Sequence, residues 1–162
     1  MGEFDILKGK TILAVDDEPD VLDVVKDELC DSEVVTATDF ESAKQLIDSR
    51  SFDLVILDIM GVNGFDLLEL CSVRGLPAAM LTARATDIRS INRSLALGAV
   101  SFLPKEELGS LRELTAEILE GLEKGQSHWT KLFNRLGPLF KEKFGVVWED
   151  LEKPSKPRLP WD

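Results

Sequence analysis

The sequence predicts an α/β fold, a doubly wound sheet of five parallel strands, with a C-terminal helical extension. Three observations predict it. Short apolar runs alternate with helical periodicity from Thr11 to about Lys124, which is the pattern of βα units. Five such runs can be counted, and each is nearly continuous in apolar character, as strands covered by helices on both faces are. Finally, the groups able to bind metal or phosphate fall at the ends of these runs, where an open α/β sheet gathers function.

Taken in order, residues 11–15 form the first strand. Val21, Leu22, Val25 and Leu29 then make a helical stripe, with Pro19 suited to the first helical turn. Residues 33–37 form the second strand. Phe40, Ala43, Leu46 and Ile47 make the next stripe, and Thr38 followed by Glu41 has the spacing of a capping box at its start. The third strand is 54–57, the fourth 78–81 and the fifth 100–103. Helices around 64–73, 86–97 and 107–123 complete the set.

A chain of 162 residues holds one domain with an appendage. Its 44% apolar content is ordinary for a globular protein, and no apolar run approaches the roughly 20 residues a membrane span needs. The start, MGEFDILKGK, lacks a leader's apolar core and cleavage site, and Ile6 stands where a myristoylation signal requires Ser or Thr. A cytoplasmic protein without membrane attachment is expected. Cys30 and Cys71 lie far apart, each in a stretch of helical pattern, and read as reduced core thiols. The net charge of −11 disfavours nucleic-acid binding, which needs clustered Lys and Arg. That charge is uneven. Residues 1–124 hold 12 Lys and Arg against 25 Asp and Glu, a net of −13, whereas residues 125–162 hold 7 against 5, a net of +2. Two units follow: a body, 1–124, and an extension, 125–162.

The first strand runs into Asp16 and Asp17, the third into Asp58 and the fourth into Thr82, and Lys105 follows the fifth. Each alone has a plainer role: Asp16 and Asp17 could cap the helix near Pro19, Thr82 could cap the helix after it, and Lys105 could be solvated. Together they are harder to dismiss, because three carboxylates at one sheet edge repel one another unless a cation compensates them. Oxygen donors select a hard cation, Mg²⁺ first, and no Cys or His stands near these ends to favour zinc. With such an ion present, Asp58 is a candidate nucleophile toward phosphorus. Lys105 and the Thr82 hydroxyl would then neutralise phosphoryl oxygens.

The segments ILAVDDEPDVLDVV, DLVILDIMGVNGFDLLEL, AAMLTARA and LALGAVSFLPKEEL resemble, in order, the signature segments of the response-regulator receiver domain of two-component signalling, over about residues 10–124. The resemblance implies a flavodoxin-like sheet of order 2-1-3-4-5. It implies Asp58 as phosphoacceptor, Asp16 and Asp17 as the acidic pair at Mg²⁺, and the Met60 backbone carbonyl as a further metal ligand. Thr82 and Phe102 match the family's switch pair, although Phe102 also fits plain core packing. Implied partners are a histidine kinase or histidine phosphotransfer protein and a downstream protein target. Three positions depart from the pattern. Only GVN separates Met60 from Gly64, where the family commonly has a longer, proline-bearing loop. Glu106 replaces the proline that often follows the lysine, and Arg84 stands at a position that influences phosphoryl loss.

In the extension, Trp129, Leu132, Phe133, Leu136 and Phe140 recur at helical spacing until Gly137 and Pro138 break or kink it. This stripe is expected to pack on the body or in a homodimer before it serves a separate partner. Pro154, Pro157 and Pro160 favour an extended arm, and His128 reads as surface or helix-end structure. The 38 residues of 125–162 leave no room for a full DNA-binding or enzymatic output domain. Output by protein contacts is therefore expected. Two alternatives stand beside a phosphorylatable receiver. One is a receiver-like scaffold that never carries phosphate. The other is a phosphatase of the haloacid dehalogenase type, disfavoured because Met60 stands where its general acid would be.

Overall fold

The computed structural model describes residues 4–83 and 88–125. Five parallel strands, β1 (Thr11–Val15), β2 (Glu33–Ala37), β3 (Leu54–Asp58), β4 (Ala78–Thr82) and β5 (Ser101–Pro104), form one sheet in the order β2-β1-β3-β4-β5. The helices are α1 (Pro19–Glu28), α2 (Phe40–Ser49), α3 (Gly64–Arg74), α4 (Ile88–Ala96) and α5 (Leu111–Lys124). β3 and β4 each run one residue beyond the apolar stretch that announced them, so Asp58 and Thr82 belong to the strands themselves.

Successive strand residues point to opposite faces of the sheet, and the core divides accordingly. Leu13, Val15, Val55, Leu57, Met80 and Phe102 pack with Ala43, Ile47, Leu67, Leu68, Ile91 and Leu95 from α2, α3 and α4. Ile12, Ala14, Leu54, Ile56, Ala79 and Leu81 pack with Leu22 and Val25 of α1 and Leu114, Ile118 and Leu119 of α5. Because both faces are covered, β3 and β4 are buried at every position.

Several local expectations are corrected. Asp39, not Thr38, caps α2: its side chain accepts the Ser42 N–H at 2.8 Å and the Ser42 hydroxyl at 3.2 Å. These bonds to the charged form, the backbone one foremost, hold the Asp39 carboxyl below its usual value. Aspartate is as good a cap as threonine, and the neighbouring acid won the position. Cys30 lies beyond the end of α1 and is exposed, so it is no core thiol. Cys71 is buried, and burial pushes its thiol up to about 12. The helix expected from 107 begins at Leu111, preceded by a 3-10 segment, Lys105–Ser110. α5 ends at Gly125, whose φ of 64° is the left-handed conformation that closes helices. Arg84, His128 and the extension from residue 126 lie outside the described residues.

The chain before β1 belongs to the fold. A 3-10 turn, Asp5–Leu7, buries Leu7 completely, and the Ser32 hydroxyl donates to the Leu7 carbonyl at 2.6 Å. The Arg112 guanidinium sits 4.6 Å from the centre of the Phe4 ring and pairs with Asp31, tying the turn to α5 and to the loop after α1. Truncating a fully buried leucine removes transfer energy and leaves a cavity, so Leu7→Ala should cost about 2–5 kcal/mol. Urea unfolding should show this as a lower midpoint at unchanged slope. An unchanged midpoint would place the turn outside the cooperative unit.

Candidate functional site

Sheet register brings the distant residues together. Val15 stands opposite Leu57, so Asp16 follows β1 at the level of Asp58, the last residue of β3. Asp58 pairs with Leu81, and Thr82 pairs with Pro104, which places Lys105 one residue past β5 on the same edge. The edge is the carboxyl end of the strands, where the connecting loops separate.

Lys105 is the cation of this edge. Its Nζ lies 3.1 Å from Asp16 Oδ2, 3.4 Å from Asp58 Oδ1 and 3.5 Å from Glu18 Oε1. Asp16 is fully buried and Asp58 almost so. Asp16 Oδ1 accepts the Glu18 N–H at 2.9 Å, whereas Oδ2 has only the lysine charge beside it, without an aligned hydrogen bond. Burial, opposed by the Glu18 N–H and by Lys105, pushes the Asp16 carboxyl above its ordinary value. Burial acts on Lys105 in the lowering sense. The close contact with Asp16 and the charges of Asp58, Asp16 and Glu18 outweigh it and hold the ammonium above its ordinary value. Thr82 is fully buried, and among the described residues its hydroxyl has no hydrogen-bond partner. A buried, unbonded hydroxyl is costly, and here it stands at the end of β4, the strand next to β3 and Asp58. Neither Asp16 nor Asp17 is the N-cap of α1; that position is Glu18, and no side chain caps the helix.

The residues fit a hard divalent cation. Oxygens of Asp16, Asp17 and Glu18 all lie within 4.8 Å of one another. The surface of Gly61 supplies a second observation: the point where its Cβ would stand is 2.4 Å from Asp17 Oδ1 and 2.6 Å from Asp58 Oδ2. The two carboxylates thus crowd against the same bare Cα, which brings an oxygen of Asp58 close to the acidic cluster. The Met60 side chain is 69% exposed, so any contribution from that residue falls to its backbone carbonyl. Phe102 is fully buried beside Met80 in the layer under α4.

The family described as "Response regulator receiver domain" matches residues 12–119. The chain belongs to that family. Among curated relatives, response regulator GtcR of Aneurinibacillus migulanus is 33% identical over 122 residues, covering 71% of this chain and 50% of its own. The receiver chain thus spans about half the length of that relative. A CheY-like receiver from Methanospirillum hungatei superimposes with a TM-score of 0.66 at 29% identity, covering 73% of this chain and 99% of its own. A response regulator from Chloroflexus aurantiacus does so at 0.62 and 30%, covering 70% and 99%. The flavodoxin-like order expected from the resemblance is the order of this sheet. No described helix of the receiver is long and apolar enough to cross a membrane.

Two residues of the edge were not singled out in the sequence. Glu18 directly follows the acidic pair, and its adjacency in DDE was the available signal. Gly61 gave no signal, because its importance lies in what its missing side chain leaves open.

Two outcomes test the electrostatics. Asp16 holds its proton more tightly folded than unfolded. Its contribution to stability is therefore complete below the ordinary 3.8 and is lost as pH rises through the raised folded value. In metal-free protein, Asp16→Asn should raise the melting temperature at pH 7, with the gain shrinking as pH falls toward 3.8. A lower melting temperature for the variant at pH 7 would show Lys105 outweighing burial. Mg²⁺ at a hundred times its Kd should stabilise the wild type by about 2.7 kcal/mol. Asp17→Asn should remove most of that increment in a thermal melt, and an equal increment in the variant would exclude Asp17 from the ion site.

Proposed function

We propose that this receiver accepts a phosphoryl group on Asp58 from a phosphohistidine of a histidine kinase or histidine phosphotransfer protein. The observation that carries the reading is the single ammonium shared by Asp16 and Asp58 beside a buried, unbonded hydroxyl. Asp58 Oδ1, 3.4 Å from Lys105 Nζ, is the oxygen that would attack phosphorus. As the Oδ1–P bond forms, the P–N bond of phosphohistidine breaks and the imidazole leaves with the electron pair. The product is an acyl phosphate. Lys105 would move from the carboxylate to a phosphoryl oxygen, and the Thr82 hydroxyl would donate to another. Asp16, Asp17, Asp58 and the Met60 carbonyl would hold Mg²⁺, which when bound neutralises charge on the phosphoryl oxygens.

The output follows from the same hydroxyl. Among the described residues Thr82 has no bond to lose, so a phosphoryl oxygen would draw β4's end inward, and the Phe102 ring on neighbouring β5 would repack with it. To act as a near-complete switch, phosphorylation must favour the altered state by about 5.5 kcal/mol. The altered face would be read by a downstream protein or a second copy of the chain. On this reading the chain is a signalling module that modifies only itself, in the cytoplasm where histidine kinases present their phosphoryl groups.

Incubation with acetyl phosphate and Mg²⁺ should add one phosphoryl mass that hydroxylamine or alkali removes, and Asp58→Asn should take none. Labelling retained in that variant would place the acceptor elsewhere, and an unlabelled wild type would favour a scaffold that carries no phosphate.

A further inference from the structure

We propose that Gly61 is a positioning residue of the site: its bare Cα lets the Asp17 and Asp58 carboxylates close on one another, and its N–H assigns the two oxygens of Asp58 to different tasks. The inference rests on the proposed function for its second half and on ion binding alone for its first.

Two glycines bracket the loop after β3, and they are required for different reasons. A Cβ on Gly64 would stand 2.2 Å from the Asp58 carbonyl oxygen and 2.9 Å from that of Ile59, both backbone atoms. Gly64 is thus a packing residue of the turn into α3. A Cβ on Gly61 would meet side-chain atoms: Asp17 Oδ1 at 2.4 Å, Asp17 Cγ at 2.6 Å and Asp58 Oδ2 at 2.6 Å. The φ of Gly61 is not in the left-handed region, so an alanine there meets no backbone penalty. The need is for space alone. Asp17 is exposed and free to swing aside, whereas Asp58 is fixed in β3. An added methyl group would therefore push Asp17 out of the cluster and turn the Asp58 carboxylate from its present place, side-chain movements that leave the backbone of the fold intact.

The Gly61 N–H donates to Asp58 Oδ2 at 3.1 Å. That bond pins Oδ2 on the side of Asp17 and leaves Oδ1 facing Lys105. One oxygen is thereby kept for the cation and the other for phosphorus. In transfer from acetyl phosphate, the Oδ1–P bond forms while the P–O bond to the acetyl group breaks, and acetate departs with the electron pair. The backbone N–H remains on Oδ2 throughout.

Full-length wild type and Gly61→Ala should be compared by calorimetric Mg²⁺ titration, by melting in EDTA, and by acetyl phosphate labelling at subsaturating Mg²⁺. The expected result is Mg²⁺ affinity weakened by about tenfold or more, labelling reduced in step, and melting in EDTA unchanged. Wild-type affinity in the variant would overturn the inference and leave the proposed function standing. A lowered melting temperature in EDTA would also overturn it, by making Gly61 structural like Gly64. Absence of Mg²⁺ binding in the wild type would overturn both. A wild type that binds Mg²⁺ but takes no label, with binding weakened in the variant, would sink the proposed function and keep the assignment of Gly61 to the ion site.

Discussion

Lys105 is the interaction on which the rest of the site depends. It reaches back from the end of β5 to Asp16 after β1 and Asp58 at the end of β3, and so joins strands one, three and five across the sheet. Without that ammonium, the buried Asp16 and Asp58 would face each other uncompensated, the arrangement that drives carboxyl groups to keep their protons. The pair is not a stabilising device in the ordinary sense. Burial still dominates Asp16 and raises its carboxyl value, so the fold retains an unfavourable charge at the edge where its loops diverge. The unbonded Thr82 hydroxyl adds to the same cost. Groups buried with unmet demands are those on which a ligand acts most strongly, because a ligand that meets them recovers their full desolvation penalty.

The core around the edge is built to carry that cost. Both faces of the sheet are closed by apolar layers, one under α2, α3 and α4, the other under α1, α5 and the turn before β1. Parallel register then does the positioning. Since Asp58 pairs with Leu81 and Thr82 with Pro104, a slip of one residue would turn these side chains to the other face and dismantle core and site together. The site is therefore as well specified as the hydrophobic pattern of the strands, which is the most strongly specified feature of the chain.

This explains what could be read from the sequence. The strands were legible because burial on both faces writes them as unbroken apolar runs, and the acids, Thr82 and Lys105 were legible because they interrupt or follow those runs. The cap of α2 was misplaced by one residue, since Thr38 and Asp39 are both competent caps and sequence spacing does not rank them. Cys30 was misplaced because the stripe of α1 ends at Leu29, so a residue that continues the pattern by composition lies outside the helix. Gly61 was illegible for a deeper reason. A missing side chain gives no pattern, and its consequence arises only when β1 and β3 bring two carboxylates to the same point in space.

The charge count of the edge decides the order of events there. Among the described residues, Asp16, Asp17, Asp58 and Glu18 bring four carboxylates against the Lys105 ammonium. A phosphoryl donor is itself negative and would be repelled by such an excess, the more so because the groups lie in or beside a low-dielectric interior. On the proposed function, a divalent cation held by these carboxylates would cancel most of it and leave Lys105 available to an incoming oxygen instead of being held by three acids at once. On that reading the electrostatics would favour cation first and phosphoryl group second. The close approach of Asp17 and Asp58 over the bare Cα of Gly61, one carboxylate exposed and one held in β3, is the part of the edge on which such a cation would draw.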